Sequence, residues 1–347
     1  MRVLVVDDSV VMRRIVARAL ERDPQIDRTD FASNGRLALL RIADRRPDVV
    51  VLDLEMPELD GFGTLAEIRR TDPTLPVVLF STVNEAVARA TLDALSVGAI
   101  DFVLKPSAGS VDAAEAYVAE HLTPLVKALA PRATSAPRRI RNSVPTVART
   151  GKQAVRAVVI GVSTGGPDAL AVLMRALPAE LPVPVLIVQH MPPMFTKLLA
   201  ERLGRLGRLS VVEAADGDLL VEGTVYIAPG DRHLALSSVG GEMRVRLDDG
   251  APENSCRPAA DVLFRAAADA FGAGVLAVVL TGMGHDGRRG CELVRAAGGQ
   301  VVVQDPDTAV IGSMPAAVAD AGLADAILPL ELLVPELVER ILSGRGR

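Results

Sequence analysis

The chain has 347 residues and a net charge of −5, which suits two ordinary domains and gives no general attraction to nucleic acid or to membrane surfaces. Its only cysteines, Cys256 and Cys291, exclude a disulfide framework and fit a reducing compartment. Asp7 and Asp8 interrupt the first apolar run, which argues against a signal peptide, and no apolar run reaches membrane-spanning length. We therefore expect a cytoplasmic protein with no membrane insertion and no nucleic-acid partner.

Four apolar segments in the first third of the chain predict β-strands, and each of them ends in polar residues. "RVLVVDD" ends in Asp7 and Asp8, and "PDVVVLD" ends in Asp53. "PVVLFST" carries Ser81 near its end, and "DFVLKP" carries Lys105. Helix-period segments such as "VMRRIVARALER" separate the strands, so we expect a parallel sheet with both faces covered.

These polar residues meet at one edge of the predicted sheet, where the carboxyl ends of parallel strands bind ligands. Asp7, Asp8 and Asp53 would repel one another unless a hard cation such as Mg²⁺ lay between them. A carboxylate held there can attack a phosphoryl donor, and the ammonium group of Lys105 can neutralise the charge that develops. One acid at a strand end is ordinarily a solvated loop residue, but four such strand ends together favour a phosphoacceptor site.

Residues 1–122 resemble the receiver domain of bacterial response regulators, because the Asp pair, "DLEMPELDG", the Ser-Thr pair and "LKP" occur in the same order. The resemblance implies a five-stranded flavodoxin-like fold that is phosphorylated by a histidine kinase. It implies these roles: Asp53 is the phosphoacceptor, Asp8, Asp53 and the Glu55 carbonyl bind Mg²⁺, Asp7 completes the acidic pocket, Ser81 is the hydroxyl that follows phosphorylation, and Lys105 pairs with the phosphate.

Residues 123–153 have the composition of a linker. No Asp or Glu occurs between His121 and Pro167, whereas the same segment is rich in Lys, Arg, Pro, Ala, Ser and Thr. Its positive charge could contact an acidic partner, but a solvated tether is the favoured interpretation. We place the domain boundary there and a second domain at residues 154–345.

The second domain again alternates apolar strands with helical segments. "AVVIGV", "PVLIVQH", "GTVYIAP", "VLAVVLTG" and "GGQVVVQD" predict its strands. The fold class is therefore α/β, with two doubly wound parallel-sheet domains. No helix-turn-helix pattern or basic recognition helix is present in the sequence, which argues against a DNA-binding output.

"GVSTG" at residues 161–165 fits the G-x-S-x-G nucleophile elbow, with Ser163 on a strand-to-helix turn. A phosphate-binding loop would need a lysine that this segment lacks, and the dinucleotide fingerprint fails at Ser163. A purely structural turn remains an alternative, so the serine hypothesis requires a base.

His190 ends the strand that follows the Ser163 unit, and consecutive strands of a parallel sheet are usually neighbours. It is therefore the favoured base, although a lone histidine at a strand end is more often solvated. Asp286, in a glycine-rich loop after another strand, is the candidate carboxylate that orients the imidazole. The same loop can direct the backbone N–H of Met283 at an oxyanion, while the simplest alternative for Asp286 is a turn residue before Gly287.

Five segments of the second domain resemble the catalytic domain of the CheB family of chemotaxis protein-glutamate methylesterases: "GVSTGGPDAL", "VQHMPPMFT", "YIAPGDRHL", "NSCRPAADVLF" and "LTGMGHDG". The resemblance implies that Ser163 is the nucleophile, His190 the base and Asp286 the orienting acid. It also implies a cofactor-free esterase, activated by phosphorylation. Its substrates would be glutamate methyl esters on methyl-accepting chemotaxis receptors, and it would deamidate specific glutamines.

Two departures from that family stand out: Cys256 occupies a position where histidine is common, and His285 one where asparagine is usual. We expect the first to alter substrate contacts and the second to perturb Asp286 electrostatically. Two alternatives are a phosphorylation-controlled binding protein with an inactive hydrolase-like domain and a phosphate- or nucleotide-binding output domain. Loss of a triad residue would favour the first and a lysine-containing phosphate loop the second, and the sequence has neither feature.

Overall fold

Strands and helices alternate along two separate units, Met1–Ile140 and Arg141–Arg347, in the computed structural model of the chain. The structure describes residues 1–82, 84–106, 109–130 and 154–343. Most of the expected linker, residues 131–153, therefore lies outside the described residues. None of the described helices combines the length and the hydrophobicity needed to cross a lipid bilayer.

The first unit is a five-stranded sheet in the order β2-β1-β3-β4-β5, with every neighbouring pair parallel. Its elements are β1 (Arg2–Val6), α1 (Val10–Glu21), β2 (Arg28–Ala32), α2 (Gly35–Asp44), β3 (Val49–Leu52), α3 (Gly61–Thr71), β4 (Val77–Ser81), α4 (Glu85–Val97), β5 (Asp101–Leu104) and α5 (Val111–Ala128). The doubly wound receiver fold expected from the sequence is confirmed.

Two features of this unit differ from the sequence analysis. Strand β2, "RTDFA", is an edge strand in which only Thr29 and Ala32 are buried, so it lacks the continuous apolar run that marks the inner strands. Helix α5 continues past residue 122 to Ala128, because Leu122, Leu125 and Val126 keep a helical spacing and are buried. Residues 123–128 are thus helical and not part of a linker.

The second unit is a seven-stranded parallel sheet in the order β14-β13-β12-β6-β7-β9-β8. Its elements are β6 (Ala157–Val162), α6 (Gly166–Ala176), β7 (Val185–Gln189), α7 (Phe195–Leu206), β8 (Ser210–Glu213), β9 (Thr224–Ile227), β10 (His233–Val239), β11 (Glu242–Asp248), α8 (Ala260–Phe271), a short 3-10 helix (Gly272–Gly274), β12 (Val275–Val279), α9 (Arg288–Ala296), β13 (Gln300–Gln304), α10 (Ser313–Asp320), β14 (Ala326–Leu328) and α11 (Leu330–Ser343).

Strand β6 lies in the middle of this sheet, with β12 on one side and β7 on the other. Its six residues are all buried, as are those of β7 and β12, which is why all three were recognisable as apolar runs. The order places the loops after β6, β7 and β12 side by side at one edge of the sheet.

The sequence analysis did not predict the antiparallel hairpin formed by β10 and β11. Gly240 and Gly241 join the strands with φ values of +62° and +85°, the left-handed backbone that a two-residue hairpin turn requires. The alternation in "HLALSSVGGEMRVRLD" was the available signal. The hairpin packs against α8, so it supports the helix whose N-terminus reaches the candidate active site.

Candidate active site and phosphoacceptor site

Ser163 occupies the turn between β6 and α6, as the elbow pattern predicted. Its backbone N–H donates to the carbonyl oxygen of Thr281 at 3.0 Å, which ties the turn to the end of β12. Gly165 caps α6 at a φ of +75°, and Gly282 packs so close that a Cβ atom there would lie 2.8 Å from Cβ of Ser163. The turn is therefore sharp, and the serine sits at the N-terminus of a helix, where partial positive charge favours a developing anion.

His190 follows the neighbouring strand. The pairing of Val162 with Gln189 between β6 and β7 puts Ser163 and His190 at adjacent strand ends, as the sequence predicted. The side-chain amide of Gln189 donates to the carbonyl oxygens of Ser163 at 3.0 Å and His190 at 3.2 Å, joining the two turns. The sequence analysis missed Gln189; its signal was a polar residue ending an otherwise apolar strand.

Asp286 is not merely a turn residue, because its carboxylate accepts hydrogen bonds from several separate segments of the chain. The carboxylate is 2 % exposed and accepts hydrogen bonds from both side chains and backbone. The donors are Nε2 of His190 at 2.7 Å, Nδ2 of Asn254 at 2.8 Å, and the backbone N–H groups of Ala260 at 2.6 Å, Asp261 at 3.0 Å and Gly287 at 3.0 Å.

Two of those donors belong to the first turn of α8. Ala259, at the N-cap of this helix, has no side chain that could accept a hydrogen bond, so the helix has no cap of its own. Asp286 takes that role from a loop distant in sequence. Asn254, with a φ of +53°, bridges Asp286 to Asp261 through its amide, and sequence reasoning missed it because the contact joins two separate loops.

The two charged groups of this cluster have displaced pKa values. Burial acts to raise the pKa of Asp286, but the hydrogen bonds from His190, Ala260 and Asp261 outweigh it and hold this pKa at about 2. Burial acts to lower the pKa of His190, but Asp286 and then Cys256 outweigh it and raise this pKa to about 10. Asp286 is therefore ionised and holds a proton on Nε2, which leaves Nδ1 as the nitrogen that can exchange a proton with a nucleophile.

Nδ1 of His190 faces sulfur. Sγ of Cys256 lies 3.6 Å from it, whereas the Ser163 hydroxyl makes no hydrogen bond to any described residue. The position of Cys256 at the imidazole could not be predicted from the sequence, because the loop after β11 carries it there.

Three further residues of the second unit, Met283, His285 and His233, have different surroundings. The backbone N–H of Met283 has no partner among the described residues and is thus available to an oxyanion, and the Met283 side chain is exposed. The His285 side chain is exposed and makes no hydrogen bond to Asp286. His233 is buried: it accepts from the N–H of Ala259 at 3.2 Å, and its Nε2 lies 3.0 Å from the Ala251 carbonyl oxygen, so it anchors the Cys256 loop.

In the first unit, Lys105 pairs with both buried acids. Its Nζ lies 2.8 Å from Asp7 and 2.7 Å from Asp53. Asp8, which is exposed, offers a third carboxylate, and one oxygen from each acid lies within 4.8 Å of the others. The N–H of Asp53 donates to Val6 at 2.8 Å, which brings the ends of β1 and β3 together.

The electrostatics of this cluster suit a reactive carboxylate. Burial raises the pKa of Asp53, opposed by the ion pair with Lys105. Burial alone would lower the pKa of Lys105, but its pairs with Asp53 and Asp7 outweigh that and raise it. Ser81, at the end of β4, is 1 % exposed, and its hydroxyl has no partner among the described residues. The Glu55 carboxylate accepts a hydrogen bond from the Thr82 hydroxyl at 2.9 Å.

Comparison with known proteins identifies the family. The family model described as CheB methylesterase matches residues 158–337, and that of the response regulator receiver domain matches residues 3–113. A protein-glutamate methylesterase/protein-glutamine glutaminase of Nocardioides sp. is 48% identical over 99% of this chain and 96% of its own. The chain belongs to the CheB methylesterase family. A relative of the same name from Trichodesmium erythraeum is 45% identical over 98% of this chain and 99% of its own.

A solved structure agrees with the fold of the second unit. The CheB methylesterase catalytic domain of Thermotoga maritima is 44% identical, with a TM-score of 0.53, and the match covers 54% of this chain and 98% of that domain. The order expected from the sequence, a receiver followed by a methylesterase domain, is confirmed by the two family models.

We expect the stabilisation contributed by Asp286 to disappear in acid. Its folded-state pKa of about 2 lies below the ordinary value of 3.8, so the contribution is fully present above pH 4 and is lost as the pH falls through 2. The difference in free energy of unfolding between the wild type and Asp286→Asn should shrink by about 2 kcal/mol between pH 5 and pH 2.

Urea denaturation across this pH range, following the transition of the second unit, measures that difference. Asp320→Asn, at an exposed position without a described hydrogen bond, controls for the substitution itself. A difference for Asp286→Asn that stays constant from pH 5 to pH 2 would contradict the account of a carboxylate held ionised by its donors.

Proposed function

We propose that this chain is a phosphorylation-activated protein-glutamate methylesterase that also deamidates specific glutamines. The observation that carries the proposal is the His190 imidazole, held on Nε2 by a buried and ionised Asp286 at the strand end beside Ser163. Membership of the CheB methylesterase family over the whole chain supports it. The alternative, a binding protein with an inactive hydrolase domain, is not favoured, because relatives that match this chain over its full length are named as enzymes.

The reaction is acyl transfer through Ser163. Its Oγ attacks the carbonyl carbon of the glutamate methyl ester while Nδ1 of His190, in the uncharged form of the ring, takes the hydroxyl proton. The negative oxygen that forms is stabilised by the N–H of Met283 and by the N-terminus of α6. His190 then gives the proton to the departing ester oxygen, which leaves as methanol, or to the amide nitrogen of a glutamine, which leaves as ammonia. Water, activated by the same nitrogen, hydrolyses the acyl-serine and leaves glutamate.

Asp286 does not exchange a proton in this cycle. Its hydrogen bond fixes the plane of the imidazole and stabilises the imidazolium that forms while Ser163 attacks. Because Nε2 keeps its proton in the hydrogen bond to Asp286, Nδ1 is the nitrogen that exchanges a proton with the serine. No cofactor takes part in the esterase reaction.

The receiver unit supplies the control. Asp53 accepts a phosphoryl group from a chemotaxis histidine kinase, Lys105 pairs with it, and the buried Ser81 hydroxyl, which has no described partner, can reorient toward it. The all-oxygen cluster of Asp7, Asp8 and Asp53 fits Mg²⁺. Asp8, Asp53 and the Glu55 carbonyl would hold the ion, which when bound neutralises the charge of the transferring phosphoryl group.

The substrates would be methyl-accepting chemotaxis receptors in the cytoplasm, in the pathway of chemotactic adaptation. This follows from the family, and the charge pattern of the chain adds no preference for nucleic acid.

His190→Ala should lower the rate of methanol release from a methylated receptor fragment by roughly a thousandfold or more, because triad members act as a unit. His285→Asn, which alters an exposed side chain in the loop of Asp286, is the control and should retain most of the activity. The triad assignment fails if His285→Asn abolishes methanol release while His190→Ala retains it.

Acetyl phosphate with Mg²⁺ should accelerate methanol release by the full-length chain and leave one labile adduct at Asp53, visible by mass spectrometry. Asp53→Asn removes the nucleophilic carboxylate, so neither the adduct nor the acceleration should occur. Asp112→Asn, an exposed acid of the same unit, should respond as the wild type does. An adduct that persists in Asp53→Asn would overturn the assignment of the phosphoacceptor.

A further inference from the structure

Cys256 occupies the position at the imidazole that the proposed mechanism assigns to a nucleophile. Its sulfur lies 3.6 Å from Nδ1 of His190, while Nε2 is held by Asp286 at 2.7 Å. Cysteine, histidine and carboxylate thus form a continuous hydrogen-bonded series. In other hydrolases that series activates a thiol.

The sulfur is held there by its own loop. The backbone of Cys256 exchanges two hydrogen bonds with Glu253, at 2.9 and 3.0 Å. Next to it, the Arg257 guanidinium binds Asp231 at 2.6 Å and the carbonyl oxygens of Asp249 and Gly250. These contacts fix the backbone that carries the sulfur beside the imidazole.

The imidazole beside the sulfur favours the reactive form of a thiol. The thiolate is the nucleophile toward electrophiles, and a neighbouring cationic histidine stabilises it. The raised pKa of His190 favours the imidazolium partner of such a pair. Cys256 is half-buried and so accessible to small reagents.

The second cysteine provides a contrast within the same unit. Cys291 is fully buried among apolar side chains, and this burial raises the pKa of its thiol well above the ordinary value. Such a thiol is inert toward water-soluble reagents. Any rapid thiol chemistry of this chain therefore belongs to Cys256.

We propose that Cys256 is a covalent modification site, at which a peroxide or a thiol-alkylating electrophile reacts with a sulfur activated by His190 and thereby switches off the esterase. With a hydroperoxide, the thiolate attacks one peroxide oxygen, an S–O bond forms and the O–O bond breaks. The departing oxygen takes the proton of the imidazolium. The sulfur is oxidised by two electrons to a sulfenic acid and the peroxide is reduced, to water when it is hydrogen peroxide.

The consequence for the esterase rests on the proposed function. An oxygen or a carboxamidomethyl group on the sulfur would stand at Nδ1, where the Ser163 hydroxyl must bind to lose its proton. Reduction of the sulfenic acid by a thiol restores the free sulfur, so the peroxide effect is reversible whereas alkylation is permanent.

Iodoacetamide labelling of the native full-length chain at pH 7, followed by peptide mass spectrometry, tests the activation of the thiol. Cys256 should be labelled in the wild type and in Cys291→Ala, and no label should appear in Cys256→Ala. His190→Gln should slow the labelling of Cys256 roughly tenfold, because an unpaired thiol is only a few per cent thiolate at pH 7. His190→Ala repeats that test should the glutamine variant not fold.

Hydrogen peroxide, with dimedone to trap the sulfenic acid, tests the switch. Methanol release by the wild type and by Cys291→Ala should fall and recover with dithiothreitol, whereas each of Cys256→Ala and Cys256→Ser should keep its own untreated rate. Labelling of Cys256 that is no faster than in the His190 variants, or peroxide inactivation that persists without Cys256, overturns the proposal. The labelling does not use the esterase reaction, so a failure of the proposed function would leave it interpretable.

Discussion

The carboxylate of Asp286 is the group on which the geometry of the catalytic unit depends. A buried charge of this kind costs several kcal/mol unless it is matched by hydrogen bonds, and here it accepts them from five groups. Two of the donors are the first N–H groups of α8, which also carry the partial positive charge of the helix N-terminus. Together these hydrogen bonds satisfy the first N–H groups of α8, offset the charge of the carboxylate and fix the orientation of the imidazole.

This arrangement explains why residues from distant parts of the chain form one site. The loop after β12 contributes Asp286, the loop after β7 contributes His190, and the segment before α8 contributes Asn254 and Cys256. Asn254 is held by the Asp286 carboxylate, and Cys256 lies against the His190 imidazole. The nitrogen left for chemistry, Nδ1, faces the sulfur of Cys256, and Ser163 lies at the end of the neighbouring strand.

The sequence predicted the parts of this site that depend on strand order. Strands β6, β7 and β12 are buried on both faces and so appear as apolar runs, and adjacent parallel strands bring Ser163 and His190 together. It did not predict the roles of Asn254 and Gln189, because their contacts join loops whose paths are set by tertiary packing. The same holds for the sulfur of Cys256: its position follows from the β10–β11 hairpin, the buried His233 and the anchored loop, none of which the sequence analysis had placed.

The central claim is that Asp286 holds His190 by Nε2 and leaves Nδ1 to the nucleophile. NMR of the protein labelled with ¹⁵N in its histidine rings, with His190 assigned from His190→Gln, tests this directly. The account predicts a strongly downfield ring proton bonded to Nε2 of His190, present in the wild type and lost in Asp286→Asn. The absence of a downfield proton on Nε2 in the wild type, or one that persists unchanged in Asp286→Asn, would contradict it.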